Sequence, residues 1–298
     1  MRILITGANG LLGYKLVQLL AAKTDTTTIA TARKKPADLP AAVQFTELDI
    51  TNKNQTTEVI AAAKPDVVIH TAAMTQVDQC ETERDKCWLT NVTGVTHIIE
   101  ACSRSNAHLV HVSTDFIFDG TYGPLDETAI PNPVNYYGES KLAGEKLIQE
   151  SKISWAILRT VLVYGVTPDM SRSNIVLWVK KSLAEGKTIN VVNDQWRTPT
   201  LAEDLAVGCF LAASQKAKGI FHISGNEMMT PFHIAVATAN FFNLNTSLIK
   251  PADSSTFTQP ARRPPKTGFV ITKAQRELGY KPHTFTEGLA LVATQLNR

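Results

Sequence analysis

The stretch MRILITGANGLLG, residues 1–13, decides the fold of this 298-residue chain. Glycine stands at every third position, at Gly7, Gly10 and Gly13, after a short apolar run that predicts a strand. A second apolar run begins at Leu11 and predicts a helix, whose N-terminus offers unpaired N–H groups and a positive dipole end to an anion. Because glycine lets the backbone approach a phosphate, we predict dinucleotide binding rather than an unliganded turn. The predicted contact residues are Gly7, Asn9, Gly10, Leu11, Leu12 and Gly13.

The first 160 residues alternate short apolar strands with amphipathic helices. Strands are predicted over residues 3–5, 28–31, 44–47, 67–70, 108–113 and 155–158, and helices over 11–22, 55–63, 84–105 and 138–150. This alternation is typical of an α/β protein with a Rossmann-like, doubly wound parallel sheet. We therefore predict a dinucleotide-binding domain over residues 1–160, with returning segments at about 200–235, and a smaller, largely discontinuous substrate-binding lobe over 161–298.

Beyond residue 161 the regular alternation ends. The predicted elements are helices over 174–185 and 201–214, strands over 188–192 and 219–224, a helix capped by Thr230 and Pro231, a long loop over 251–265, and a final pair of helices.

Composition narrows the class of protein. The net charge is only +3 and no long basic run occurs, so we expect neither nucleic acid nor a membrane as partner. The four cysteines form no C-x-x-C pair and lack histidines at metal-ligand spacing, so no metal site is expected. No apolar run reaches the length of about 18 residues that a membrane helix needs. We predict a cytoplasmic enzyme whose apolar-flanked histidines are core residues: His70, His97, His108 and His111.

Tyr137 and Lys141 lie four residues apart at the start of a predicted helix, which places them on one face. A phenol with a pKa near ~10 is a poor acid at neutral pH, and a neighbouring ammonium favours the phenolate and lowers that pKa. The fifth predicted strand ends in Ser113 and Thr114, where either hydroxyl can share a substrate oxygen with the tyrosine. The residues alone leave open which hydroxyl does so, or whether it only satisfies the strand end.

The second predicted strand bears on the choice of dinucleotide. It ends in Thr31-Ala32-Arg33-Lys34, without the carboxylate that usually holds the ribose 2′-hydroxyl of NAD. Arg33 can bind a 2′-phosphate, so NADPH is predicted, with NADH also accepted; a solvated basic turn is the alternative. Later strand ends supply the remaining predicted dinucleotide contacts: Asp49, Ile50, Thr71, Ala72 and Ala73.

Several longer motifs resemble one enzyme family along essentially the whole chain. They are GANGLLG (7–13), VSTDFIFDG (112–120), YYGESKLAGE (136–145), DQWRTPT (194–200) and ARRPPKTGFVITKAQRELGYKP (261–282). In this order they resemble extended short-chain dehydrogenases/reductases, and among these the dTDP-4-dehydrorhamnose reductases. The resemblance implies a catalytic set of Thr114, Tyr137, Lys141 and Asn91, the last completing the tetrad of the superfamily.

The chain departs from this family in the DQWRTPT block, where a small or aliphatic residue and glycine are usual. Trp196 and Arg197 stand there instead, which puts the identity of the sugar in question more than the reaction type. A nucleotide diphosphate sugar needs cations beyond the Rossmann half, and the resemblance points to loops that hold Arg197 and Arg263. The full set of predicted substrate contacts is Thr75, Val77, Asn174, Arg197 and Arg263.

The expected function is NADPH-dependent reduction of a nucleotide-linked 4-keto-6-deoxy sugar, with dTDP-4-dehydro-L-rhamnose the favoured substrate. One alternative is a nucleotide-sugar epimerase or dehydratase of the same superfamily. Another is a non-catalytic, dinucleotide-binding regulatory subunit similar to that of S-adenosylmethionine synthetase. A homodimer is compatible with each of these.

Overall fold

A computed structural model describes residues 1–36, 38–168 and 173–297. Its strands are β1 (Arg2–Thr6), β2 (Thr27–Ala32), β3 (Gln44–Glu47), β4 (Val67–His70), β5 (His108–Thr114), β6 (Trp155–Thr160), β7 (Val163–Tyr164), β8 (Ile189–Val192), β9 (Thr200–Leu201), β10 (Gly219–His222) and β11 (Ile249–Ala252). Its α-helices are α1 (Leu11–Ala21), α2 (Lys53–Ala63), α3 (Val77–Thr82), α4 (Arg84–Trp88), α5 (Gly94–Ser105), α6 (Tyr136–Glu150), α7 (Ile175–Ala184), α8 (Ala202–Ser214), α9 (Pro231–Phe241), α10 (Thr272–Leu278) and α11 (Phe285–Leu296).

The central sheet has the strand order β10-β6-β5-β4-β1-β2-β3, and every neighbouring pair is parallel. Ile5 of β1 pairs with Ala30 of β2 on one side and with Ile69 of β4 on the other. The inner strands are continuous apolar runs because helices cover both faces of a parallel sheet. The predicted Rossmann-like α/β fold is confirmed, and the carboxyl ends of β1, β4 and β5 meet at one edge.

Successive side chains of β1 supply the two opposite layers of the core. Ile3 and Ile5 pack in the cluster that includes residues of α1 and α8, whereas Leu4 packs with residues of α2, α5 and α6. This alternation follows from the two-residue period of a strand. The helix that carries Tyr137 is therefore anchored against the second layer. Its Glu145 also pairs with Arg159 of β6, through Oε2 and Nη2 at 2.7 Å.

The later residues build a second set of elements next to the sheet. β7 pairs with β9 and β8 pairs with β11, both in parallel. α7, α9 and α11 share one apolar cluster through Val176, Ile234 and Leu289, and α7 and α9 share a second one with β8 and β11. Thr230 caps α9 as predicted, since its hydroxyl accepts the N–H of His233. The division into two domains near residue 160 stays a prediction.

Two local predictions were wrong and one helix was missed. The predicted single helix over 84–105 is interrupted by a π-helical turn, Leu89–Thr93, in which Asn91 bonds the backbone of a neighbouring loop. The helix α3 was not predicted, because Val77–Thr82 is short and mostly polar. The loop predicted to begin at Pro251 begins later, since Ile249–Ala252 pairs with β8. Among the residues that the structure describes, no helix is long and apolar enough to cross a membrane.

Candidate active site

The glycine turn between β1 and α1 requires close backbone contacts. Gly7 has a φ of +74°, and a Cβ there would lie 2.8 Å from backbone atoms of Ala72. A Cβ at Gly13 would lie 2.2 Å from the carbonyl oxygen of Gly7. Gly10, by contrast, is the exposed N-cap of α1, and no side chain caps this helix. The turn therefore fits a dinucleotide, because its helix N-terminus is unobstructed and can receive a pyrophosphate.

The basic turn after β2 lies beside the glycine turn. Asn9 Nδ2 donates to the carbonyl oxygen of Lys34 at 2.8 Å and so joins the two turns. Arg33 is exposed next to this contact, where a guanidinium can reach a ribose 2′-phosphate. The structure thus brings the predicted phosphate-binding and 2′-phosphate-binding residues together.

The turn after β3 is held by its own side chains. Asp49 Oδ1 accepts the N–H and the hydroxyl of Thr51 at 2.9 and 2.7 Å. Ile50 is buried, and its Cδ1 would lie 2.9 Å from a Cβ on Gly94. Dinucleotide contact by Asp49 and Ile50 stays a prediction, since these bonds describe only how the turn is fixed.

The segment that follows β4 is fixed from two sides. The Thr71 hydroxyl donates to the carbonyl oxygen of Thr6 at 2.6 Å, which holds the segment against the glycine turn. On the other side, Asn91 Oδ1 accepts the N–H of Met74 at 2.8 Å, and Asn91 Nδ2 donates to the Met74 carbonyl oxygen at 3.0 Å. Ala72 and Ala73 lie between these contacts, and their contact with the dinucleotide stays a prediction.

Asn91 also connects this segment to α6, the helix that carries Tyr137. Its Nδ2 lies 3.0 Å from Ser140 Oγ and 3.4 Å from Cys87 Sγ, and its side chain is buried in the π-helical turn. π-helical turns of this kind occur often at functional sites. In this structure Asn91 positions the backbone around the site rather than facing open space.

Tyr137 is 8% exposed, and its ring packs edge-on against Phe116 with centroids 5.9 Å apart. Its hydroxyl hydrogen-bonds the side chain of Thr114, which selects Thr114 over Ser113 as the partner of the tyrosine. Burial raises the pKa of Tyr137. This direction is opposite to the lowering by Lys141 that the sequence predicts. The tyrosine is therefore held in its protonated form, as a general acid must be before it donates.

Lys141 is 3% exposed, and its ammonium is bonded within the protein. Nζ donates to the carbonyl oxygen of Val112 at 2.8 Å and lies 3.2 Å from His111 Nε2. Burial lowers the pKa of Lys141 to about 8. The pKa of His111 lies well below its ordinary value because of burial and the nearby lysine, so its ring is neutral and accepts from the ammonium. The four histidines predicted to be core residues are all buried.

The smaller predicted substrate contacts lie at different places. Thr75 is exposed before α3, and Val77 begins α3 and packs on the cluster around the catalytic tyrosine. Asn174 is the N-cap of α7: its Oδ1 accepts the N–H of Leu177 at 3.3 Å and its Nδ2 donates to the Gly165 carbonyl at 2.7 Å. The structure thus assigns Asn174 a capping role, and its polar atoms are engaged within the lobe.

Arg197 is not the open substrate-facing cation that the sequence predicts. It is 4% exposed, and its guanidinium donates to the carbonyl oxygens of Trp196 at 2.7 Å and Pro264 at 2.6 Å. Its Nε lies 3.7 Å from Asp115 Oδ2. The arginine therefore joins the loop before β9 to the segment after residue 260 and to the end of β5.

Arg263 forms a bidentate ion pair with Asp78 of α3. Its Nη2 lies 2.7 Å from Asp78 Oδ2, and its Nη1 bonds Oδ1 of the same carboxylate. The bonds from Arg263 hold the pKa of Asp78 below its ordinary value despite partial burial. This pair fastens the C-terminal loop over the start of α3, beside Val77, so Arg263 remains close to the predicted substrate side.

Sequence reasoning missed two residues beside the hydroxyl of Thr114, Asp115 and Thr267. Asp115 accepts the hydroxyl proton of Thr114 at 3.1 Å and also bonds the hydroxyl of Thr267. Asp115 directly follows Thr114 in the motif VSTDFIFDG, so the sequence alone could have predicted that it lies beside this hydroxyl. Thr267 is 152 residues away, and no local pattern predicts that contact. Among the described residues, no group of three or more His, Cys, Asp or Glu side chains is arranged to hold a metal ion.

Comparison with known proteins finds one family model that matches the whole chain. The model of the RmlD substrate binding domain family matches residues 1–298. The dTDP-4-dehydrorhamnose reductase of Aggregatibacter actinomycetemcomitans is 32% identical over 97% of this chain and 97% of its own length. Methionine adenosyltransferase 2 subunit beta of Bos taurus is 34% identical over 85% of this chain and 76% of its own length.

Solved structures agree with the sequence relatives. A dTDP-4-dehydrorhamnose reductase from Clostridium acetobutylicum has a TM-score of 0.87 at 28% identity, with full coverage of both chains. The Bacillus anthracis dTDP-4-dehydrorhamnose reductase, solved in complex with NADP, has a TM-score of 0.85 at 30% identity over 99% of each chain. The expected resemblance, oxidoreductase class and nicotinamide dinucleotide are confirmed at the level of the family. The chain belongs to the RmlD substrate binding domain family.

Proposed function

We propose that this protein reduces a nucleotide-linked 4-keto-6-deoxy sugar with NADPH, and that dTDP-4-dehydro-L-rhamnose is its substrate. The observation that carries the proposal is the Tyr137–Thr114 hydroxyl pair, buried at the end of β5 beside Lys141. The relatives named as dTDP-4-dehydrorhamnose reductases support the substrate class, and the basic turn at Arg33 supports the 2′-phosphate.

The position of each residue in the site determines its proposed role. Nicotinamide supplies the hydride in chemistry of this kind. Tyr137 donates its proton to the oxygen that develops negative charge. Thr114, whose own proton is bonded to Asp115, holds the tyrosine hydroxyl in place before that transfer. Lys141 is held by the Val112 carbonyl, where its ammonium can bind a ribose hydroxyl. The glycine turn binds the pyrophosphate, and Asn91 keeps the neighbouring backbone segment in place.

The test is NADPH oxidation by the purified protein with dTDP-4-dehydro-L-rhamnose generated in place, and NADH in a parallel assay. We expect turnover with one NADPH consumed per sugar and a lower rate with NADH. A nucleotide-sugar epimerase would instead convert sugar without net consumption of NADPH. Binding of NADPH without turnover on this or any other 4-keto sugar nucleotide would contradict the proposal.

A second candidate function is that of an accessory subunit of a methionine adenosyltransferase. The observation that favours it is the similarity to methionine adenosyltransferase 2 subunit beta from several vertebrates, at 32% to 34% identity. The intact set of Thr114, Tyr137, Lys141 and Asn91 favours the reductase, because an accessory subunit has no need of a buried acid.

A direct binding experiment separates the two candidates. The purified chain is mixed with the catalytic subunit of methionine adenosyltransferase from the same source, and the mixture is analysed by size-exclusion chromatography. Co-elution together with absent NADPH oxidation would favour the accessory subunit. Separate elution together with turnover would favour the reductase.

A further inference from the structure

Arg197 reaches the catalytic end of β5 from a distant loop. Its guanidinium lies 5.7 Å from the centre of the Phe116 ring and faces the Asp115 carboxylate, with Nε at 3.7 Å. Both of these residues directly follow Thr114 in the chain. The cation therefore faces the side chains of the two residues that follow Thr114.

The hydroxyl groups around Thr114 form a chain of hydrogen bonds with a defined direction from donor to acceptor. The Thr114 hydroxyl donates to Asp115 Oδ1 at 3.1 Å, while its oxygen accepts the N–H of Phe116 at 3.2 Å. Because the single hydroxyl proton of Thr114 points to Asp115, its bond with Tyr137 must use the tyrosine proton. Asp115 also accepts from the hydroxyl of Thr267. The tyrosine proton is thus held by a chain that ends on a carboxylate.

We infer that Arg197 is a positioning residue that fixes the direction of the hydrogen-bond chain from Tyr137 through Thr114 to Asp115. The inference rests on the proposed function for its kinetic readout. It assigns a role to a residue that stands where the resembling family usually has glycine. Arg197 acts through Asp115, because its other N–H groups donate to the carbonyl oxygens of Trp196 and Pro264.

The physical reason is the charge of Asp115. An ionised carboxylate only accepts hydrogen bonds, whereas a protonated one donates and would reverse the chain, so that Thr114 would donate to Tyr137 and favour the phenolate. Burial raises the pKa of Asp115, and the charge of Arg197 is the largest influence in the opposite direction. Without that charge, the carboxyl would take up a proton at higher pH.

Few other groups act on this carboxylate. Tyr137 faces it from α6 through Thr114, and the Thr267 hydroxyl faces it from the C-terminal segment. Arg263 acts on Arg197 from farther away and lowers its pKa, in the same direction as burial. The charge at Arg197 is thus the principal one that a substitution can remove.

The first experiment needs no catalytic activity. The protein is labelled with ¹³C at aspartate carboxyls, titrated by NMR, and the Asp115 signal is assigned by its loss in Asp115→Asn. In Arg197→Gln, which keeps a donor but no charge, we expect Asp115 to titrate at least about one pH unit higher than in the wild type. Arg197→Lys, which keeps the charge, should titrate within about half a unit of the wild type.

Matched variants define what would overturn the inference. Arg276→Gln removes an exposed arginine of α10, with a side chain 70% exposed, and should leave the titration unchanged. Thr267→Val removes a donor but no charge and should shift Asp115 less than Arg197→Gln does. An unshifted Asp115 in Arg197→Gln, or a larger shift in Thr267→Val, overturns the inference. If Arg197→Gln does not fold, the Arg197→Lys variant decides instead: a rise of about one unit in the pKa of Asp115 in that variant overturns the inference.

The kinetic experiment measures the pH profile of NADPH oxidation with the 4-keto sugar nucleotide. In Arg197→Gln we expect the acid limb of kcat to move to higher pH and kcat at pH 6 to fall about tenfold, with recovery in Arg197→Lys. If Arg197 had only a structural role, both variants would have a lower kcat and the acid limb would stay at the same pH. That result would overturn the inference. If Asp115 shifts as expected but the wild type reduces no sugar, the positioning role stands and the proposed function fails.

Discussion

Gly13 and Arg197 each hold one side of the site together, but over different distances along the chain. Gly13 packs against the carbonyl of Gly7 within the same turn, where a Cβ would lie 2.2 Å from that oxygen. Arg197 bonds the carbonyl of Pro264, which is 67 residues away, and Arg263 bonds Asp78 across 185 residues. The predicted dinucleotide side is therefore built from local backbone geometry, whereas the predicted substrate side depends on contacts that form only when distant segments have folded.

The largest expected effect on stability compares a buried arginine pair with a more exposed one. Arg159 pairs with Glu145 of α6, with side chains 3% and 0% exposed. Arg159→Met leaves a buried carboxylate without its partner and should lower the free energy of unfolding by about 3–5 kcal/mol. Arg263→Met breaks a pair whose carboxylate is partly exposed and should cost less than about 1 kcal/mol. Urea unfolding of both variants measures the difference; equal losses would contradict this comparison.

The catalytic tyrosine gives the next effect. Tyr137→Phe removes the acid but keeps the ring that packs on Phe116, so kcat should fall about a hundredfold or more. The Kd for NADPH, measured by fluorescence, should change by less than about twofold. A near-normal kcat in this variant would show that another group donates the proton.

The glycine turn offers a matched pair of substitutions. In Gly13→Ala the Cβ meets backbone, so we expect a loss of about 1–3 kcal/mol in the free energy of unfolding. In Gly10→Ala the nearest atom is the Gly7 oxygen at 3.4 Å, so stability should change little. The added methyl stands at the helix N-terminus and should weaken NADPH binding about tenfold. Loss of stability in Gly10→Ala with unchanged binding would reverse these two roles.

The smallest effect is a pH dependence of stability. Burial lowers the pKa of Lys141 to about 8 from the 10.5 of an unperturbed lysine. Between these values the unfolded chain holds the proton that the folded chain has lost, so wild-type stability rises with pH relative to Lys141→Met. Between pH 8 and pH 9 the difference in unfolding free energy should change by about 1 kcal/mol. Urea unfolding at both pH values checks this, and parallel behaviour of the two proteins would refute it.

The sequence predicted the features that depend on residues close together in the chain. The glycine turn, the Tyr137–Lys141 pair and the central sheet follow from local periodicity and are present in the structure. Arg197 was expected in the substrate pocket because a loop arginine has no local pattern that predicts its burial. Its bond to the carbonyl of Pro264, like the Thr267–Asp115 bond, depends on the folded arrangement of distant segments.

Two further features had a signal in the sequence, and substrate contact by Asn174 stays a prediction. Asn174 precedes an apolar run, which is typical of an N-cap, and the structure shows it capping α7. The predicted lowering of the pKa of Tyr137 considered only the charge of Lys141. Burial of the phenol acts in the opposite direction and is the larger influence in this structure. Burial of an individual side chain is a property of the whole fold, so spacing alone could not predict that outcome.

The most direct test of the account follows the hydride itself. NADPH that carries deuterium at both C4 positions of the nicotinamide is incubated with the protein and dTDP-4-dehydro-L-rhamnose, and the product is analysed by mass spectrometry and NMR. The account predicts a single deuterium at C4 of the product sugar, and a product yield in Tyr137→Phe that is lower by about a hundredfold or more at equal time. A product without deuterium, or no product while NADPH is bound, would contradict a reductase centred on Tyr137.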